Sequence, residues 1–351
     1  MIIDNGGITL QLKTDVELRA NVDWNELYNM IKESSCIDIA TYSQYEAEDF
    51  WERLKHHPNV HIIINGKSLY NECRARGFIE NNKTHTVDKV ETSHAKMILA
   101  APDVVCLSSQ NVGSADWLQN TVIFHDEIAY EFYKKEFDQY AIDGWINNFK
   151  YTDTSFDKMP KMIAEEGSDT SWGKSIILHK PKVKLEKMLN WKTKVMGIWY
   201  KDVLISSYTL PNEKYVKDTL RHLLKRGNHI TFVINAASAR KLQKIRKELA
   251  EELEETFLDE VQQGKFFLAA MRLEQIIKNG ELFDIEVRTN VHAKVLLASK
   301  DQVNGGGEEV VWLSSQNFGS SGWFENMVGI YGAEAYNFYK EIFEDFLQTT
   351  I

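Results

Sequence analysis

Within 351 residues, one succession of strings occurs twice. His94-Ala95-Lys96 is followed by SSQN at 108–111, and His292-Ala293-Lys294 by SSQN at 314–317. An offset of 206 carries SSQNVGSADWLQNTVIF onto SSQNFGSSGWFENMVGIY, pairing Trp117 with Trp323 and Asn120 with Asn326. The same offset carries EIAYEFYKKEF onto AEAYNFYKEIF, pairing Tyr130 with Tyr336. The His-Ala-Lys strings lie 198 apart, and the difference of eight falls in VNGGGEEV, a Gly-rich turn that lengthens a hairpin in the second copy. Two copies are too few for a solenoid; a duplicated unit closed about a pseudo-twofold axis is the expected solution.

Upstream of the motifs the correspondence is weaker but legible. IDIATYS (37–43) resembles VLISSYT (203–209), and HIIIN (61–65) resembles ITFVIN (230–235). Between such runs lie helical patterns, among them NEKYVKDTLRHLLKRG, with apolar residues three and four apart and Gly227 as a stop. Strand, helix, strand is the order of a βαβ unit. HAKMILA, HAKVLLA, VVCLSS and VVWLSS read as further strands, and AYEFYKKEFDQY and AYNFYKEIFEDF as closing helices. The expected fold is α/β: two tandem βα repeats about a pseudo-twofold axis, with mixed sheets flanked by helices. The first repeat spans 1–150, a connector 151–190, and the second repeat 191–351. The charged insert ARKLQKIRKELAEELEETFLDEVQQ of the second copy is expected as a solvated helix.

Composition trims the functional classes. A formal charge of −10 argues against a chain coated in basic surface, but a nucleic-acid partner needs only a local positive groove. No apolar run approaches the roughly 20 residues that span a bilayer. MIIDNGGITLQLKTD lacks the basic-then-apolar layout of a secretory signal, so a cytoplasmic location is expected. Cys36, Cys73 and Cys106 have no metal-ligand spacing and read as reduced thiols. There is no HExxH, CxxC pair or Walker-type loop, so neither a metal nor a nucleotide cofactor is expected.

On a strand, side chains two apart point the same way, so each His and its Lys reach into one space. Asn111 and Asn317 end the SSQN strings, where a carboxamide reaches the same space. Closing the two copies gathers two imidazoles, two ammonium groups and two carboxamides, a set suited to a tetrahedral anion such as phosphate. One imidazole then attacks phosphorus to give a phosphohistidine, and the other protonates the leaving oxygen and later deprotonates water. Lys and Asn hold the non-bridging oxygens, so no metal is required.

These residues resemble the phospholipase D superfamily, whose paired HKD motifs read H-x-K-x4-D-x6-G-[SG]-x-N. The first copy keeps the 17-residue step from His94 to Asn111, while His292 to Asn317 spans 25. The family's Asp would fall at Ala101 and Ser299, and neither is acidic. Tyrosyl-DNA phosphodiesterases also lack that Asp, and their first motif is similar to HAKMILAAPDVVCLSSQNVGSADWLQNTVIF. The resemblance covers roughly 36–145 and 196–346. It implies that Gln119 and Glu325 complete the site, that His94 is the nucleophile and that His292 is the general acid and base.

Ser109 and Ser315 are expected either to donate to a phosphate oxygen or to shape the turn. Tyr42 and Tyr208, at strand ends, and Trp117 and Trp323 are expected as core packing, although the tryptophans could stack bases. The expected activity is a metal-independent phosphodiesterase acting on nucleic acid, DNA in the first instance, as a nuclease or in processing strand ends. Phospholipid hydrolysis or transphosphatidylation is the alternative, for which no membrane-engaging apolar element is evident; a catalytically inert nucleic-acid-binding relative is the other. Both motifs belong to one chain, so a monomer suffices to complete the site.

Overall fold

The structure, a computed structural model, describes residues 9–12, 16–42, 48–65, 84–90, 93–113, 117–146, 175–179, 189, 200–262, 282–301, 309–319 and 325–349. Each repeat folds into a sheet, and one strand path serves both. In the first sheet, β3 (Ile37–Thr41), β4 (Val60–Ile64) and β5 (Thr86–Lys89) run parallel, and β6 (Met97–Ala100), β7 (Val104–Ser108) and β8 (Thr121–His125) follow antiparallel from the other edge of β3. In the second, β10 (Tyr200–Ser207), β11 (His229–Ile234) and β12 (Asp284–Val287) are the parallel set. There β13 (Lys294–Lys300), β14 (Val310–Ser314) and β15 (Met327–Tyr331) are the antiparallel one. The expected mixed sheets and internal duplication are therefore present.

The sheet edges depart from the expected segment boundaries. β2 (Val16–Arg19) closes the first sheet beside β8. The equivalent place beside β15 is taken by β9 (Ser175–His179), which lies within the stretch expected as a connector. β1 (Thr9–Leu12), from the N-terminal part of the first repeat, then pairs with β9. An unpaired sheet edge is a liability, and here segments outside the repeated core cover it. The VNGGGEEV turn spans 303–310; its residues 303–308 lie outside the described residues, and the strands on either side of it pair antiparallel.

Strand side chains alternate faces, and both faces of each sheet are buried. Met97, Leu99, Val105, Leu107, Val122 and Phe124 face a central core, which they share with Val295, Leu297, Val311, Leu313, Val328 and Ile330 of the second sheet. Between them pack α3 (Glu127–Ile146) and α6 (Ala333–Gln348) through Tyr133, Phe137, Tyr339 and Phe343. The opposite face of the first sheet, with Ile98, Cys106 and Ile123, is covered by α1 (Trp24–Ile31) and α2 (Glu48–Leu54). That of the second, with Leu296, Val310 and Trp312, is covered by α4 (Glu213–Lys225) and α5 (Ala236–Gln262).

The terminus of α4 follows its sequence. Asn212 accepts from Tyr215 N at 3.3 Å, and Gly227 (φ 72°) lets its own N–H reach Leu224 O (2.9 Å) while Asn228 N reaches Leu223 O (3.2 Å). That paired arrangement needs a left-handed residue, which glycine adopts without a Cβ penalty. The charged insert is indeed a helix, α5, but it is solvated on one side only. Ala239, Leu242, Ile245, Leu249 and Leu253 recur at helical spacing and bury against the sheet. Its Glu248 and Glu252 pair with Lys217 and Arg221 of α4.

Two tyrosines bind the halves to each other reciprocally. Tyr133 OH donates to Met327 O (3.1 Å), and Tyr339 OH lies 2.9 Å from Thr121 O and 3.0 Å from Arg19 O. Each phenol sits on one repeat and its acceptor on the other, at the offset of 206 that relates the motifs. Removing either hydroxyl leaves buried carbonyls without this donor. Tyr133→Phe and Tyr339→Phe are each expected to cost about 1–3 kcal/mol, read as a fall in the urea midpoint with an unchanged m-value.

Candidate active site

The two His-Ala-Lys strings sit where the antiparallel strands begin. β6 starts at Met97 and β13 at Lys294, so both histidines precede their strands rather than lying within them. For His292 the reason is local. His292 N and Ala293 N both donate to Leu118 O, at 2.9 and 2.7 Å, and Leu118 N donates to Asn290 O at 2.8 Å. Backbone of one repeat thus takes the hydrogen bonds that the strand would otherwise supply.

Each imidazole is oriented by the opposite half. His94 Nδ1 is 2.9 Å from Glu325 Oε2, and His292 Nδ1 is 3.0 Å from Gln119 Oε1. The serines hold these orienting groups: Ser315 Oγ donates to Glu325 Oε2 at 2.5 Å and Ser109 Oγ to Gln119 Oε1 at 2.8 Å. Their hydroxyls also accept from Asn326 N and Asn120 N, so Ser109 and Ser315 shape the turn and lock the orienting group together. A proton on Nδ1 of each ring satisfies these contacts with acceptor oxygens and leaves Nε2 as the basic nitrogen.

Asn120 and Asn326, noted in the sequence only as an aligned pair, have a defined place. Asn326 Oδ1 accepts from Lys96 N at 2.9 Å, and Asn120 Oδ1 from Lys294 N at 2.8 Å. Their amide nitrogens approach Ser108 O (3.4 Å) and Ser314 O (3.5 Å) of the far repeat. The dipeptides Gln119-Asn120 and Glu325-Asn326 are therefore two-residue clamps, one gripping each His-x-Lys. Their recurrence at the repeat offset was the available signal.

Lys96 and Lys294 form the floor, 2% and 0% exposed. Lys96 Nζ donates to His94 O at 2.5 Å; Lys294 Nζ donates to His292 O at 2.7 Å and lies 3.0–3.1 Å from both nitrogens of the His292 ring. The SSQN asparagines, half-buried, differ between the halves. Asn317 Oδ1 accepts from Thr209 N (3.1 Å), presenting its amide nitrogen to a ligand, whereas Asn111 Oδ1 is buried with no hydrogen-bond partner among the described residues.

The aromatic residues correct the expectation of core packing. Tyr42 packs edge-on against His94, with ring centroids 5.1 Å apart, and lies 5.8 Å from Lys96 Nζ. Tyr208 stands equivalently against His292 at 5.0 Å and Lys294 Nζ at 5.9 Å. Trp117 stacks on Tyr208 (5.6 Å, 29°) and also meets His292 at 5.8 Å. All three are half-buried at the rim of the site, not in the core. Trp323 lies outside the described residues.

Charge is unevenly compensated. Burial depresses His94, against the pull of Glu325, and pushes Lys96 down to about 8. Burial, then Lys294 and Lys96, hold His292 well below the usual imidazole range; burial and Lys96 do the same to Lys294. Burial alone would raise Glu325, but His94 and Lys96 keep its carboxyl below the usual range. His94 and Glu325 thus stabilise each other's charged forms against burial. Four basic groups face one carboxylate, an arrangement that an incoming anion completes.

Elsewhere, Asp38, His61 and Asp138 converge closely enough to hold a cation. Lys134 Nζ already donates to Asp138 (2.5 Å) and Asp38 (3.4 Å), so an ammonium group answers the two carboxylates. No spacing in the chain announces this group.

No family model matches the chain, and no curated protein matches it. Solved structures do. Phosphatidylserine synthase from Haemophilus influenzae aligns with 98% of this chain and 88% of its own at 11% identity and a TM-score of 0.59. Polyphosphate kinase from Porphyromonas gingivalis aligns with 96% of this chain at 12% identity and a TM-score of 0.53; the chain spans 46% of that kinase. Yeast tyrosyl-DNA phosphodiesterase is matched over 93% of this chain and 89% of its own at 12% identity, with a TM-score of 0.43, below the level at which likeness bears on fold. The chain has the phospholipase D-like fold, with its internal duplication. Among the described residues no helix is long and apolar enough to cross a membrane.

Moving Lys96 from 10.5 to about 8 corresponds to about 3 kcal/mol against its charged form. Because the folded value is depressed, the unfolded chain binds more protons between about pH 8 and 10.5, and this contribution to stability rises with pH across that window. Lys96→Met is therefore expected to raise the midpoint of urea unfolding at pH 7, and by less at pH 10.

Proposed function

We propose that the protein is a metal-independent phosphodiesterase acting on nucleic acid, as a nuclease or on strand ends, through a phosphohistidine on His94. The observation that carries this reading is the reciprocal clamp. Two histidines, each oriented at Nδ1 by the other repeat, stand beside two buried lysines with one carboxylate among them. Such a set suits a phosphodiester anion.

His94 Nε2 attacks phosphorus, and the bond to the leaving oxygen breaks as His292 donates its Nε2 proton to that oxygen. Phosphohistidine formation leaves a cationic ring, and Glu325 at 2.9 Å supports that charge; Gln119, being neutral, offers His292 no such support. This difference favours His94 as nucleophile. Burial and the neighbouring lysines depress the basicity of His292, and a bound phosphodiester anion offsets them, so that the ring takes up a proton from solvent before the first step. In the second step His292 takes a proton from water, the oxygen attacks phosphorus, and the N–P bond breaks to release a phosphomonoester. Lys96, Lys294 and Asn317 hold the non-bridging oxygens, charge stabilisation that metal ions supply in other phosphoryl-transfer sites.

A phospholipid remains the alternative substrate, and the assay separates the two. With EDTA present, single- and double-stranded DNA, RNA, a 3′-tyrosyl oligonucleotide and phosphatidylcholine vesicles are offered to wild type and to His94→Ala. Cleavage of nucleic acid, with loss of at least 10³-fold (an order-of-magnitude expectation for losing a nucleophile) in His94→Ala, is the expected result. Strict dependence on added metal would count against the mechanism, and hydrolysis of the lipid alone against the substrate. His292→Asn is expected to accumulate an acid-labile covalent adduct at His94, visible by intact mass. Activity should fall above about pH 8 as Lys96 loses its proton.

A further inference from the structure

Besides Glu325 against Gln119, the described residues of the two halves differ in what lies beside each imidazole. His94 has Tyr42 edge-on to it. His292 has Tyr208 in the equivalent position and, in addition, Trp117, whose indole lies nearly parallel to the Tyr208 ring. An indole backed on one face by a phenol at 5.6 Å, both half-buried and both against the proton-donating histidine, forms an apolar wall on that side of the site. Leu118, the next residue, is fixed by backbone hydrogen bonds to Asn290, His292 and Ala293. The wall is thereby anchored to the same backbone that carries His292.

We infer that Trp117, backed by Tyr208, is a specificity-determining residue that stacks the nucleobase on the leaving-group side of the scissile phosphate. The enzyme accordingly selects unpaired nucleotides. The inference rests on the phosphodiesterase reading above and deepens it. The leaving oxygen must lie next to His292, which protonates it, so whatever that oxygen carries passes along the wall. In a nucleotide the sugar spans the short gap from this oxygen to a flat base. A base can lie on an indole only if its face is exposed, which a duplex denies and a single strand or a frayed end allows. A flexible acylglycerol has no planar group to match the wall.

Dinucleotides in which one or the other base is replaced by an abasic tetrahydrofuran test this, with EDTA present and wild type compared with Trp117→Ala and Trp117→Phe. For wild type, loss of one of the two bases is expected to lower kcat/KM about 5- to 150-fold, the kinetic equivalent of one base–aromatic stack. In Trp117→Ala that ratio should collapse toward one, and Trp117→Phe should restore part of it. Single-stranded oligonucleotides should be cut faster than the same sequence in a duplex, and the advantage should shrink in Trp117→Ala. If Trp117→Ala slows base-bearing and abasic dinucleotides by the same factor, the residue only positions His292, and the stacking claim fails while the phosphodiesterase reading stands. Equal cutting of duplex and single strand overturns the stacking claim in the same way. A wild type inert toward every diester, including methyl p-nitrophenyl phosphate, overturns both.

Discussion

Two ammonium groups buried together, with one carboxylate between them and neutrality, set the terms for this molecule. Lys96 and Lys294 are almost wholly withdrawn from solvent, and each depends on carbonyl oxygens and on the surrounding framework. Burying a charge in this way is costly unless something holds it there. The holding is done by a hydrophobic core common to both sheets and by hydrogen bonds that run from one repeat to the other. The site is therefore a strained centre in a well-packed frame, and its unsatisfied charge is what makes it receptive to an anion.

The pseudo-twofold is respected in the frame and broken in the site. Strand order, the two phenol-to-carbonyl bonds and the asparagine clamps repeat faithfully. Glu325 faces Gln119, and Trp117 adds a second ring on one side only among the described residues. A symmetric scaffold with an asymmetric pair of orienting groups can give two chemically identical side chains different duties, as a two-step displacement requires.

Much of this was legible in the chain. A duplicated motif with a fixed offset implies a duplicated sheet, because residues keep their spacing only when they keep their neighbours. The paired His and Lys were visible because polar groups at matched offsets have no packing reason to recur. Gln119 and Glu325 became visible only through resemblance. The roles of Asn120 and Asn326 stayed hidden because a carboxamide that binds backbone leaves no periodic trace. Trp117, Tyr42 and Tyr208 were misplaced because aromatic residues fill cores and line sites with the same composition; only the direction of the ring tells them apart. β9 and β1 escaped because strands added outside the repeats pair through backbone and need no repeated side chain.

The clamps have a consequence for how such a chain can change over time. Residues 117–120 grip 290–294, and 325–326 grip 94–96, so each repeat is finished by its sibling. Neither copy can therefore vary here without regard to the other: a substitution is judged by its fit to a residue far along the chain, as Asn120 is by Lys294, 174 residues downstream.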